Sequence, residues 1–320
     1  MPAIIYTTHA GPELGNAFAD VISGKYSPAG RLAQTWYKSE YELAPIECYD
    51  IIENDMTYLY YRGKPLYPFG YGLSYAKFEY SDFNVKENGD VISVSLDVTN
   101  VSETDSDEVV QIYFRMENPS VKRPLRQLVA FARERIKGGS TRHFEFDIKK
   151  SELRFYDVSR ECFAVEQGRY TFMAGASSED IRLTKTIDVS GEIIPPRELC
   201  KGVKAKNYDG KYGTKMKYSK KLEQHYMLGG GLIYNNCVLG EADSIEIVCG
   251  SRVNTGKITV RYGGETLCEA EVKPTVDVTE FETVTAQFDK AVLAGIDREK
   301  PAVFELLMPE QIYILGFRTY

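Results

Sequence analysis

From Phe78 onward the apolar positions of this chain recur with period two, the spacing of half-buried strands. The stretch "FEYSDFNVKENGDVISVSLDVTN" carries strand signals on both sides of Asn88-Gly89, a pair that favours a tight hairpin. "EVVQIYFRM", "LVAFARERI", "TRHFEFDI", "ECFAVEQGRYTFMAGAS" and "LTKTIDVSG" follow at short, regular intervals. About seven strands in roughly 110 residues predict an immunoglobulin- or fibronectin-type sandwich over 78–191, and the lack of a Cys…Trp…Cys pattern favours the fibronectin kind.

Pro195-Pro196 stiffens a linker over 192–202. Beyond it "ADSIEIVCG", "GKITVRYGG", "ETLCEAEV", "TEFETVTAQF" and "PAVFELLM" predict a second β-sandwich over 203–320, read as a jelly roll. Gly229-Gly230-Gly231 and Gly263-Gly264 are read as turns.

The front of the chain has a different rhythm. "PAIIYTT" (2–8) predicts a short buried strand, and Leu14, Ala17, Phe18, Val21 and Ile22 stand at helical spacing before Gly24 stops the run. A single β-α unit cannot bury both faces of a parallel strand, so residues 1–40 read as the remnant of an α/β domain. Residues 41–77 lack a period and read as an aromatic-rich connector packed by its own side chains. The predicted fold class is therefore mainly β: two β-sandwich domains preceded by that β-α remnant.

Charge and chemistry narrow the picture. Lys plus Arg number 39 against 46 Asp plus Glu, a net charge of −7, which argues against nucleic acid and anionic membrane as partners. Twenty-three tyrosines against one tryptophan suit strands, a carbohydrate surface, or both. Cys48, Cys162, Cys200, Cys237, Cys249 and Cys268 form no C-x-x-C pair, and only His225 is near any of them, so no metal or cofactor site is expected. His9 and His143 belong to no constellation. The first fifteen residues lack the basic and apolar regions of a secretion signal, which sets the expectation of a cytoplasmic chain with reduced, buried thiols.

Two long motifs carry a resemblance. "SPAGRLAQTWY" (27–37) is similar to the "N-P-S-G-R-L-P-x-T-W-Y" segment of family 3 glycoside hydrolases, the β-glucosidases and β-xylosidases. "MTYLYYRGKPLYPFGYGLSYAKFEY" (56–80) resembles their "R-T-Y-R-Y … P-L-Y-P-F-G-Y-G-L-S-Y-T-x-F" segment. The resemblance spans roughly residues 2 to 190 and implies the end of the second catalytic domain followed by a fibronectin type III-like domain. Met56 and Leu59 stand where that pattern has arginines.

In that family the nucleophilic aspartate lies on an N-terminal barrel and the acid/base glutamate upstream of the matched part, so the resemblance implies no catalytic residue here. Retaining cleavage needs two carboxyls about 5 Å apart. Glu13, Asp20 and Asp50 are available, and each reads as a solvated side chain. The tyrosine-rich stretch at 66–80 reads as a clamp between modules ahead of a direct sugar platform.

Residues 203–320 resemble a family 6-type carbohydrate-binding module through "VKAKNYDGKYGTKM", "MLGGGLIYNNCVLG" and the closing "IYILGFRTY". The resemblance nominates Tyr226 and Phe281 as the two rings of a sugar cleft, with Asn235 and His225 as polar neighbours. Leu315 replaces the asparagine expected in the last strand, and Lys206 replaces the glutamate of a structural calcium site, which argues against Ca²⁺. A packing role for the same aromatics stands beside the sugar-binding one.

Three functions follow: an accessory part of a family 3 β-glycosidase, a free-standing carbohydrate-binding protein, and a hydrolase active alone. The expected partners are a β-linked glucan or xylan oligosaccharide and a catalytic glycoside hydrolase chain or a second copy.

Overall fold

Wherever apolar residues alternate, the chain forms strands. The computed structural model describes residues 4–7, 11–46, 48–275 and 280–320. Helix α1 (Leu14–Ile22) occupies the predicted span and ends before Gly24, whose φ of +76° suits only glycine. Residues 4–7 form no strand, contrary to expectation, and Ile4 and Ile5 are exposed. The remaining residues of that expected strand lie outside the described ones. A strand needs a ladder partner, and among the described residues no strand or β-bridge includes Ile4, Ile5 or Tyr6. A single turn of helix, α2 (Thr57–Tyr60), interrupts the connector.

The strands are β1 (Phe78–Asn88), β2 (Val91–Asn100), β3 (Ser106–Met116), β4 (Gln127–Ile136) and β5 (Thr141–Lys149). A small hairpin of β6 (Phe155–Asp157) and β7 (Cys162–Ala164) precedes β8 (Gly168–Gly175) and β9 (Ile181–Val189). Then come β10 (Arg197–Glu198), β11 (Val203–Lys204), β12 (Gly210–Tyr212), β13 (Lys215–Ser219) and β14 (Gln224–Val238). The chain finishes with β15 (Ser244–Ser251), β16 (Gly256–Tyr262), β17 (Glu265–Val272), β18 (Glu282–Gln287), helix α3 (Lys290–Gly295) and β19 (Ala302–Thr319).

Two compact units result. The first comprises Met1–Pro119, Arg123–Arg154 and Val165–Gly191; the second comprises Ser120–Lys122, Phe155–Ala164 and Glu192–Tyr320. In the first unit a three-stranded sheet, β1-β2-β5, and a four-stranded sheet, β4-β3-β8-β9, enclose one core. Strand β2 alternates inward Ile92, Val94, Leu96 and Val98 with half-exposed polar residues, as a sheet with one wet face requires. Strand β3 is buried on both faces, because the connector covers the side turned away from the core.

The second unit is one hydrogen-bonded network of ten strands around a core that includes Leu232, Tyr234, Ile247, Val260, Phe304 and Ile314. Its longest strand, β19, pairs with β14, β15 and β16. Gly263 and Gly264 form the β16–β17 turn, but Gly229-Gly230-Gly231 lie inside β14, not in a turn. There a Cβ on Gly231 would meet the Tyr212 ring at 2.2 Å, and one on Gly230 would meet the Tyr212 carbonyl at 2.3 Å. The glycines let β12 and the residues after it lie against the strand.

Candidate functional site

In the first unit the two long motifs bind each other. Leu32 N–H donates to Tyr71 O, Gly70 N–H to Leu32 O, Trp36 N–H to Tyr67 O and Leu66 N–H to Trp36 O. Trp36 and Tyr67 form an isolated antiparallel bridge, with their rings edge to face at 5.9 Å. The zipped pair then fastens onto β3. Gln111 Nε2 donates to Gly70 O and Ala176 O, and Ser27, Ser74 and Ser106 share a chain of hydroxyl bonds. Phe69 stacks on Tyr58 at 4.1 Å, and Tyr58 meets Tyr113 edge-on. Burial lifts the Tyr58 phenol above its ordinary pKa, opposed by its bond with the Leu128 backbone. Tyr67, Phe69 and Tyr71 of the aromatic stretch thus pack against other rings, while Tyr75 stays half exposed.

Of the four nominated sugar residues of the second unit, the structure brings Tyr226 and Phe281 together. Tyr226 is buried, and its ring meets Phe281 at 5.9 Å and Tyr313 at 5.7 Å, both edge-on. A pyranose held between two rings needs about 7–8 Å, two van der Waals contacts in series. Tyr226, Leu228 and Tyr313, with Phe281 and Leu315 against them, form a small apolar cluster. Leu315, noted in the sequence for displacing an asparagine, is part of that packing. The Tyr313 hydroxyl shares a hydrogen bond with Thr275 Oγ1 and donates to Glu280 O, and Gly250 leaves room for its ring.

His225 neighbours Tyr226 in sequence, so it points to the opposite side of β14, where it packs edge-on against Tyr218 at 5.1 Å. Asn235 lies nine residues further along β14, roughly 30 Å away at strand rise. Its side chain is exposed and its backbone N–H donates to Asp209 Oδ2. The cluster joins Tyr226 to Phe281 and leaves His225 and Asn235 elsewhere.

The carboxylates weighed for catalysis have local partners. Glu13 accepts from Asn16, Asp20 pairs with Lys25 at 2.9 Å, and Asp50 accepts from the N–H groups of Ile52 and Glu53. Lys206 is exposed, and among the described residues no group of three or more metal-ligating side chains forms. His9 lies outside the described residues; His143 pairs with Asp97 on β2. All six thiols are free, but the expectation that they are buried holds for only some: Cys48, Cys162 and Cys200 are exposed. Burial pushes Cys237 and Cys249 up to about 12. No helix among the described residues is long and apolar enough to cross a membrane.

The second unit has a cleft of about 330 Å³ between the β6–β7 hairpin and the 195–207 segment. Arg160, Glu161, Arg197, Lys201, Lys204 and Asn207 are among its walls. Lys204 Nζ donates to both oxygens of Glu161, at 2.6 and 2.9 Å, and Asn207 Nδ2 adds a third bond. The Lys204 and Asn207 bonds hold the Glu161 carboxyl below its ordinary pKa. Arg197 and Asp209 make a buried pair at 3.2 Å, and Arg197 lies over the Tyr234 ring.

Net charge conceals a local signal that runs on from this cleft. Residues 201–221, "KGVKAKNYDGKYGTKMKYSKK", hold eight lysines, three tyrosines and a single acid, Asp209. A window count of charge along the chain finds this stretch; the chain total does not.

A seven-stranded sandwich with a helix-bearing segment clamped onto it defines the class of the first unit. Residues 1–75 match the glycosyl hydrolase family 3 C-terminal domain, and residues 108–178 match the fibronectin type III-like domain. The chain is 36% identical over 186 residues to a xylan 1,4-beta-xylosidase of Xylanibacter ruminicola, covering 57% of this chain and 21% of that protein. It is 34% identical over 199 residues to thermostable beta-glucosidase B of Acetivibrio thermocellus, covering 57% and 26%. The solved beta-D-glucoside glucohydrolase of Trichoderma reesei superposes with a TM-score of 0.53 at 29% identity, over 56% of this chain and 29% of that one. About 57% of the chain is thus homologous to the C-terminal part of family 3 β-glucosidases and β-xylosidases, and the chain spans about a quarter of those curated relatives.

Proposed function

We propose that this chain serves as the accessory C-terminal portion of a family 3 β-glycosidase, docking to and stabilising a catalytic part that carries the two carboxyls. One observation carries the reading. Of the 25 large apolar side chains exposed among the described residues, 14 lie between Ile4 and Tyr75. They include Ile4, Ile5, Tyr6, Ile22, Ile46 and Tyr49, and α1 buries none of its residues. Patches of this kind mark interaction surfaces. The segment that bears them is the one that matches the family 3 C-terminal domain.

The fibronectin-like sandwich braces that segment from the other side. The second unit acts as an appended carbohydrate-binding-type β domain that targets the assembly; its separate core and the resemblance of its motifs support this.

Co-expression with the barrel-bearing part of a family 3 β-glucosidase tests the proposal. Hydrolysis of p-nitrophenyl β-D-glucoside or β-D-xyloside should appear with the pair and not with this chain alone. Ile5→Asp should weaken that complementation while leaving the melting of the chain unchanged. Sustained turnover by the pure chain would overturn the reading.

A further inference from the structure

The lysine-rich stretch becomes an edge ribbon. Among the described residues strands β12 and β13 pair only with β14, in a common register from Gly210↔Ile233 to Ser219↔Gln224 that is interrupted at Gly213 and Thr214. Within β13, Lys215 and Lys217 project to one side and Met216 and Tyr218 to the other. Lys220 and Lys221 follow in the turn, and all of these side chains are exposed. Lys215, Lys217, Lys220 and Lys221 make no ion pair among the described residues. Tyr212 and Tyr218 are each about half exposed, at 50% and 52%, and their partners on β14 are Gly231 and His225. Six residues separate those partners, which sets the two tyrosines roughly 20 Å apart along the ribbon.

Lysines on an edge strand also discourage edge-to-edge pairing. That role accounts for Lys215 and Lys217. It does not account for Lys220 and Lys221 in the turn, or for Lys206 ahead of the ribbon; Lys201 and Lys204 pair with Glu198 and Glu161.

We propose that this ribbon binds a glycan bearing carboxylates, a uronate-substituted β-linked polysaccharide. Unpaired ammonium groups at strand spacing neutralise charges distributed along an extended chain. Half-exposed tyrosines offer an apolar face to a sugar ring and a hydroxyl to its rim. All eight cations are lysine and none is arginine. Arginine's planar fork matches carboxylate and phosphate alike, whereas lysine supplies an undirected point charge. The lysines attract either polyanion, and a carboxylated glycan is preferred over a nucleic acid because it suits the function proposed above. The choice of a β-linked glycan rests on the function proposed above; the charge argument does not.

Affinity electrophoresis of the full chain tests it. The gels carry glucuronate-substituted xylan, the same xylan with its carboxyls reduced to alcohols, or no glycan, and a single-stranded DNA oligonucleotide is titrated in parallel. Only the carboxylated xylan should retard the protein, and the retardation should fade as salt rises. The quadruple variant Lys215→Ser, Lys217→Ser, Lys220→Ser, Lys221→Ser should lose about tenfold or more in affinity. Tyr218→Ala should lose several-fold, and Lys257→Ser, whose lysine pairs with Glu269 on another edge, should lose nothing. Equal retardation by the reduced xylan, no retardation at all, or tighter binding to the DNA each overturns the proposal. None of these readings depends on restored hydrolysis, so complementation can fail while the ribbon binds, or the reverse.

Discussion

Arg31 Nη2 lies 3.0 Å from Glu108 Oε2, with only 10% and 2% of the two side chains left exposed. The other Glu108 oxygen accepts a hydrogen bond from the Tyr80 hydroxyl at 2.8 Å. Arg31 belongs to the first family motif and Glu108 to β3 of the sandwich, so one buried pair ties the segment matching the family 3 C-terminal domain to the fibronectin-like core. Burial pushes the Glu108 carboxyl above its ordinary pKa, against the opposing pull of Arg31. Removing the cation leaves a buried carboxylate with the Tyr80 hydroxyl but without its paired charge, and breaking a buried pair typically costs about 3–5 kcal/mol. Arg31→Ala should therefore lower the unfolding midpoint followed by fluorescence of Trp36, the single tryptophan. The double variant Arg31→Ala, Glu108→Gln should recover part of the loss. A single variant as stable as the parent would show that the pair does not hold the two parts together.

The clamp makes a second demand, at Gly70. Its φ is +80°, and an added Cβ would sit 2.0 Å from Gln111 Oε1. Gln111 cannot retreat without releasing Gly70 O and Ala176 O, both buried contacts. Gly70→Ala should destabilise the first unit by at least about 2 kcal/mol, through backbone strain and lost hydrogen bonds together. Phe69→Ala, which removes the ring stacked on Tyr58, should cost about 3 kcal/mol. Calorimetric titration with gluco- and xylo-oligosaccharides should be indifferent to Phe69→Ala; lost sugar affinity would make the stretch a platform and not a clamp.

What the sequence discloses follows from which interactions are local. The sandwich strands announce themselves because inward Ile92, Val94, Leu96 and Val98 alternate with polar neighbours inside ten residues. The β1–β2 hairpin is legible for the same reason, with Gly89 at φ +62° directly after Asn88. Residues 4–7 carry a strand's composition, but a strand is a property of two segments, and among the described residues no ladder includes Ile4, Ile5 or Tyr6. The glycine run of β14 was misread because its cause is non-local: the Tyr212 ring and the Glu310 backbone occupy the space that side chains would fill. Tyr226 and Phe281 do lie together, yet chain order cannot distinguish two rings facing a gap from two rings in contact.

In the second unit the linker is pinned by charge. Arg197 donates to Asn207 O and to Asp209, and both Arg197 and Asp209 side chains are more than nine-tenths buried. Burial raises the Asp209 carboxyl above the ordinary 3.8, with Arg197 opposing. Asp209→Ala strands the guanidinium beneath Tyr234 and deprives the Asn235 N–H of its acceptor. A loss of about 3–5 kcal/mol is expected, seen by calorimetry as a lowered transition of the second unit. Arg197→Met, which keeps the stem's packing and removes the charge, should cost less when Asp209→Asn accompanies it. Additive single and double effects would deny the coupling.

His143 gives the first unit a pH dependence of known sign. It faces Asp97 across β2 and β5, with Nδ1 2.5 Å from Asp97 Oδ1 and Nε2 3.6 Å from Glu145 Oε1. The Asp97 hydrogen bond, joined by the charges of Asp97 and Glu145, raises the imidazole above the ordinary 6.5. The folded state thus binds the proton more tightly than the unfolded chain. Its contribution is fully present below the unfolded value and is lost as pH rises through the folded one. The ring is open to solvent, so the effect is small and weakens with added salt. Between about pH 6 and about pH 8 the midpoint of the first unit should fall more in the parent than in His143→Gln. Parallel profiles for the two proteins would mean that the Asp97 contact does not persist in solution.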